Sequence, residues 1–217
     1  VYIARSVGSA VEVAEIGQVE VLRGPQGTLF GRNTTGGAVN FITKRPTEDS
    51  NITLEGSYGN YNARKVQISG NSGALENSLK LFGTLSYRAR DGYIDNILVD
   101  DSEDPGSYES TAARIGVEFD PSPNTNVYYT FDYADSEERP PAFQTTIVSP
   151  TVAGFLANSA TNTGCNLNIS SSRLDELCLN NSAPVENTTW GHTLKVEHDF
   201  GGIMLRSTTG IRNWENT

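Results

Sequence analysis

Long apolar runs are missing from this chain of 217 residues. No segment approaches the roughly 18 consecutive apolar residues that a membrane-spanning helix needs. A helical membrane protein is therefore excluded. A β-barrel in lipid is not, because only alternate residues of a barrel strand face hydrocarbon and the average composition stays polar. Basic residues are also in the minority, 16 Lys and Arg against 26 Asp and Glu, for a net charge of −10. Nucleic acid is not an expected partner, since phosphate contacts need a basic surface. Cysteine and histidine occur only twice each. The sequence offers no Ser-His-Asp set, metal-ligand cluster or pocket-like carboxylate pair, so neither catalysis nor a metal or other cofactor is expected. No charged-then-apolar leader is visible at Val1, and the chain reads as an internal piece of a longer one.

What is abundant is glycine, with 21 residues, and alternation. After Pro46 seven segments place apolar or small residues at every second position. They run through Ile52–Tyr58, Val66–Gly70, Leu79–Tyr87, Ala113–Phe119, Val127–Tyr133, Trp190–His198 and Ile203–Ile211, with Ser207 and Thr209 weakening the last. The intervening residues are mostly polar: Lys80, Thr84, Ser86 and Arg88 in the third segment, Arg114 and Glu118 in the fourth, Thr193, Lys195 and Glu197 in the sixth. Period two over about ten residues fits a tilted barrel strand with one face in lipid and one in a wet lumen. A soluble β-sandwich gives the same alternation. The connections separate the two: Asn71–Asn77, Asp120–Asn124 and Phe200–Gly202 are short, whereas Ala89–Ser110 and Ser136–Asn187 are long. Short turns at one end and long loops at the other are the pattern of an outer-membrane barrel, apart from the short first outer connection at Gly59-Asn60. Tyr58, Tyr87, Phe119, Tyr133 and Trp190 lie near segment ends, where interface girdles fall.

Before Pro46 the reading changes. Val19 and Val21 alternate with Glu20, and Gly24-Pro25-Gln26-Gly27 ends this strand in a turn. Leu29 and Phe30 supply apolar anchors. Gly36-Gly37 then allows backbone angles closed to other residues, and Ala38–Ile42 forms a second strand with apolar groups on both faces. This unit is too small for a core of its own and needs a surrounding wall. Gly31 followed by Arg32 and Asn33 does not satisfy a P-loop, so a phosphate cradle is not expected. The blocks VEVLRGP at Val19–Pro25, GTLFGRN at Gly27–Asn33, TGGAVN at Thr35–Asn40 and ITKRP at Ile42–Pro46 together resemble the end of the plug domain of TonB-dependent outer-membrane receptors. With less specificity the resemblance continues through YGNYN at 58–62, RDGYIDN at 90–96 and FDPSP at 119–123, and so covers nearly the whole chain.

The resemblance implies an all-β fold with slight helix in the plug. Residues 1–46 would be the C-terminal part of the plug domain, and 47–217 the first seven or so strands of a transmembrane antiparallel barrel of about 22 strands. It implies active uptake across the outer membrane of a Gram-negative bacterium. A ferric siderophore is the default ligand; cobalamin, haem, other metal chelates and oligosaccharides stay open. Outer-membrane lipid and the inner-membrane coupling protein TonB are the implied partners, the latter through a segment outside this piece. A passive porin and a soluble all-β binding module are the alternatives. By the same resemblance Glu20, Arg23, Gly24, Pro25, Gly27, Gly31, Arg32, Asn33, Gly36, Gly37 and Asn40 form the plug motif and its contacts, with charge pairs of Glu20 and Arg23 as a releasable latch. Arg5 and Ser6 fall where a plug loop faces the ligand.

Cys165 and Cys178 share the longest loop and, in an exported protein, are expected to form a disulfide worth about 3 kcal/mol. The acidic stretch Asp91–Glu109 has no Lys or Arg; its spacing does not fit an EF-hand, and it reads as a solvated loop. His192 and His198 share one strand face and read as membrane-interface residues.

Overall fold

The computed structural model describes residues 16–31, 34–97, 104–142, 147, 149–152, 154, 172, 176–177 and 183–217. Strand β1 (Ile16–Arg23) leads through a single helical turn, α1 (Gly27–Phe30), to β2 (Gly37–Thr43). The two strands pair antiparallel from Val19 opposite Phe41 to Arg23 opposite Gly37. One face of this hairpin leaves apolar groups open: Val19, Val21, Val39 and Phe41, which share it, are all exposed. That is the behaviour expected of a unit whose core lies with its surroundings.

The remaining long strands are β3 (Ser50–Tyr58), β4 (Arg64–Ala74), β5 (Leu79–Arg90), β7 (Tyr108–Ser122), β8 (Thr125–Glu138), β10 (Val185–Asp199) and β11 (Met204–Asn216). Two-residue strands β6 (Asp95–Asn96) and β9 (Glu176–Leu177) lie in the long connections and pair parallel with each other. The seven long strands form one antiparallel sheet in sequence order, β3-β4-β5-β7-β8-β10-β11. This is the up-and-down meander read from the alternation. Among the described residues no helix is long and apolar enough to cross a membrane.

Burial in this sheet is inverted relative to a water-soluble one. Following the register across the strands, one face carries Ile115, Phe131 and Ile211 in one row and Leu54, Ile68, Leu85 and Tyr133 in the next. These are the open positions, with Leu54 73% and Ile115 53% exposed. The opposite face carries Ser69, Lys80, Thr84, Ser86, Ser110, Arg114, Glu118 and Thr130, all buried. A sheet in water hides its apolar face. One that exposes it and crowds its polar face is built to curl with the polar side inward and the apolar side in hydrocarbon.

The strands run further than the alternation alone suggested. β4 continues to Ala74 through an irregularity between Asn71 and Ala74, where Gly73 takes φ +72°, and Glu76–Ser78 form a 3₁₀ turn. β7 absorbs Asp120-Pro121-Ser122, expected as turn, by shifting register after Phe119. The missing amide of Pro121 is tolerated there because a bulge already interrupts the ladder. What remains of that turn is Pro123-Asn124.

Loop 91–107, expected to be solvated, is folded at both ends. Asn96 is fully buried and donates its backbone N–H to Asp104 Oδ1 at 2.9 Å, and Pro105 is buried beside it. Gly106, at φ +87°, lies so close to the Tyr93 ring that no larger residue fits. One carboxylate of the acidic stretch thus has an internal partner. Among the described residues no group of His, Cys, Asp or Glu is arranged to hold a metal ion.

The aromatic girdle residues all point to the apolar face, with Tyr133 opposite Trp190. The two histidines differ from each other. His198 sits at the short-turn end, 2.8 Å from Thr125 Oγ1 and packed edge-on against Phe200, as an interface residue does. His192 lies in the Ile115–Phe131–Ile211 row, inside the apolar band. Tyr129 OH bonds its Nδ1 at 2.7 Å, and the rings of Phe131 and Trp190 flank it. Burying its polar edge against those rings is what admits a histidine there.

Candidate functional site

The hairpin motif is shaped by three glycines in the left-handed or neighbouring regions, Gly24 (φ +84°), Gly31 (φ +80°) and Gly37 (φ +147°). Gly24 donates its N–H to Gly36 O and Gln26 its N–H to Thr34 O, folding the loop back beside itself, while α1 closes through Gly31 N–H to Gly27 O. A Cβ on Gly37 would stand 2.5 Å from the Leu22 carbonyl oxygen. Gly37 thus serves close backbone approach, while Gly24 and Gly31 supply the positive φ of the turn.

Glu20 and Asn40 face each other across β1 and β2. Asn40 Nδ2 donates to Glu20 Oε2 at 3.0 Å, and Gln18 Nε2 donates to Oε1 at 3.1 Å. The carboxylate is satisfied within the hairpin. Among the described residues neither Glu20 nor Arg23 makes an ion pair with the sheet. On that ground Arg23→Ala is expected to assemble and to exclude large solutes as the parent does. Increased sensitivity of cells to a bulky hydrophilic antibiotic would restore the latch role read from sequence. Arg5, Ser6, Arg32, Asn33, Cys165, Cys178 and the side chain of Leu29 lie outside the described residues.

Sequence reasoning missed the contacts that follow the hairpin. The Arg45 guanidinium lies 4.7 Å over the ring of Tyr128, which is 3% exposed on the polar face of β8. Stacking of this kind attaches a cation to an aromatic surface. Pro46 is buried. Thr47 N–H donates to Asn71 Oδ1, and Glu48 O accepts from Ala74 N–H at 3.0 Å. The Glu48 carboxylate meets Lys80 Nζ at 2.7 Å, and Lys80 also reaches Glu118 at 3.3 Å and Asp120 at 3.5 Å. Because Arg45 rests on the polar face, the chain crosses from hairpin to barrel on the inner side of the curve.

Higher on the same wall, Arg212 Nη2 pairs with Asp132 Oδ2 at 2.6 Å, and Arg114 Nη2 reaches the Tyr128 hydroxyl. Toward the long-loop end a cleft of about 800 Å³ opens on this face, bordered by Lys65, Arg88, Ala134, Thr189 and Trp214. Arg88 and Arg114 were legible as polar members of the alternation; the pairing of Arg212 with Asp132 and of Arg114 with Tyr128 was not, because it depends on register.

A glycine-shaped hairpin, a linker stitched to the polar face, and a seven-stranded meander with a crowded polar face and an open apolar one fit part of an outer-membrane β-barrel. No family model matches the chain. Among curated proteins it is similar to the metal-pseudopaline receptor CntO of Pseudomonas aeruginosa, 32% identical over 99 residues, covering 46% of this chain and 12% of that protein. It is also similar to the catecholate siderophore receptor Fiu of Escherichia coli K12, 27% identical over 199 residues, covering 88% of this chain and 24% of that protein. The chain thus spans about a quarter or less of the curated relatives it matches. Among solved structures, the ferric yersiniabactin uptake receptor FyuA from Yersinia pestis superposes with a TM-score of 0.73 at 16% identity, over 94% of this chain and 29% of that one. These matches bear out the resemblance to TonB-dependent outer-membrane receptors and the partial barrel with its plug hairpin. The relatives are transport receptors, and none is an enzyme by name.

Proposed function

We propose that this chain is the part of a TonB-dependent active transporter where plug becomes barrel. Residues 1–46 are the C-terminal part of the plug, and 47–217 the first seven or so strands of a barrel of about 22. The protein lies in the outer membrane of a Gram-negative bacterium, with short turns in the periplasm and long loops outside. It takes up a ferric siderophore or a similarly scarce chelate, using energy transmitted by TonB. It does binding and release, with no bond chemistry of its own.

The observation that carries this reading is the hairpin's continuation, through Arg45 on Tyr128 and Glu48 on Lys80, onto the inner face of the sheet. A passive porin has no reason to hold a glycine-built hairpin there. The receptor names of the relatives favour a chelated metal as ligand. The glycines and pairs of the plug motif, including Glu20 with Asn40, keep the plug folded between transport events.

Deletion of the full-length gene, followed by growth under iron limitation with catecholate, pyoverdine and yersiniabactin siderophores offered singly, tests the function. Loss of growth on one of them, restored by the gene, is the expected result, with short-term uptake of that iron-loaded siderophore abolished by a protonophore. Uptake that survives the protonophore would point to a passive barrel.

A further inference from the structure

The hairpin and the linker are held in different ways. The named partners of Glu20 lie within 16–43, and the hairpin's strands pair with each other. Just beyond the hairpin, Arg45, Thr47 and Glu48 are fastened to three strands of the wall: Thr47 and Glu48 to β4, Glu48 to Lys80 on β5, and Arg45 to Tyr128 on β8, with Lys80 in turn reaching Glu118 and Asp120 on β7. Gly73 supports this closeness, since a Cβ there would stand 3.0 Å from Glu48 O and 2.9 Å from Ser50 N. The Lys80 side chain is only 11% exposed, and its carboxylate partners come from the linker and from the barrel alike. Its ammonium is therefore shared between a segment that could move and one that cannot.

We propose that residues 45–48 form a fixed clip, with Lys80 as its positioning residue, marking where the mobile part of the plug ends. The inference rests on the transport reading above and adds its boundary. Pull applied to the plug rearranges the chain through β2, which ends at Thr43, and is resisted from Arg45 onward. Backbone hydrogen bonds, a stacked cation and a shared lysine must all be lost together before the linker lifts. The strands of the hairpin carry no equivalent set of wall contacts among those described.

The test uses the full-length receptor in cells, with single cysteines introduced as Thr43→Cys, at the end of β2, and Asp49→Cys, just beyond the clip. Rates of maleimide labelling are compared in energised cells and after a protonophore, scoring only the heat-modifiable, assembled fraction. Labelling at position 43 is expected to depend on energisation and labelling at position 49 to be indifferent to it. Adding Lys80→Met is expected to make position 49 respond as well, and Lys80→Arg to keep it indifferent. A parent in which position 49 responds as strongly as 43, or a Lys80→Met variant in which 49 stays indifferent, overturns the clip. If neither position of the parent responds to energisation, the energised-transport reading is overturned, and the clip with it.

Discussion

Ile115→Arg in the full-length protein is expected to lose most of its assembled form, whereas Thr189→Arg is expected to assemble nearly as the parent does. Ile115 lies on the apolar face of β7, 53% exposed, between Gly83 and Phe131 in a row that continues to Ile211. The row lies well inside the band, seven residues from the end of β7 at Ser122. An arginine near the bilayer midplane costs a barrel about 2–4 kcal/mol, the cost falling toward the interfaces. Thr189 is on the other face, borders the cleft, and has room for a longer side chain with water beside it. The two changes add the same charge to two strands of one sheet, β7 and β10, with β8 between them. Only their facing differs, so the contrast in heat-modifiable protein, or in urea midpoint after refolding into vesicles, reports which face meets lipid. A soluble sandwich would bury the same apolar face against a second sheet and show the contrast in buffer without vesicles.

Gly37→Val is expected to open the barrel without unfolding it. At φ +147° the backbone lies outside what a β-branched residue tolerates, a strain of about 1–3 kcal/mol by itself. The new Cβ would also meet the Leu22 carbonyl oxygen at 2.5 Å, an atom fixed in the β1–β2 ladder. The hairpin must then give up its first pair, Arg23 with Gly37, and with it the loop bond from Gly24 N–H to Gly36 O. None of the seven barrel strands depends on that pair, so the wall keeps its register. Cells carrying the variant should show normal amounts of assembled receptor and a marked rise in sensitivity to a bulky hydrophilic antibiotic. Normal exclusion would mean that this hairpin does not occlude the lumen.

The parts of this fold legible in the sequence were those that depend on local period. Alternation from Ile52 to Ile211 gave each long strand and its facing, since residues two apart share a face whatever the partner strand does. The glycine pattern around Gly24, Gly31 and Gly37 announced tight backbone, and the structure has positive φ at all three. What escaped was whatever depends on register. Lys80 and Glu118 were each recognised as inward polar residues, but their meeting follows from the antiparallel register of β5 against β7, Leu79 opposite Phe119, which the pattern of neither strand states. Arg45 and Tyr128 are 83 positions apart, and no local pattern joins them. The fold within 91–109 escaped for the opposite reason: a dense run of acids suggested solvent, while Asp104 accepts from the backbone N–H of buried Asn96 and Asp91 from the Asn62 side chain.

The central claim is that alternate residues of these strands face lipid and a plug-filled interior. Single nitroxide labels placed in turn at residues 112 to 117 of β7, in the full-length protein in bilayers, test it through collision with oxygen, enriched in lipid, and with a nickel chelate confined to water. The account predicts oxygen contact at 113, 115 and 117 and low contact at 112, 114 and 116. Oxygen contact at the even positions, or shelter from both agents at all six, would contradict it.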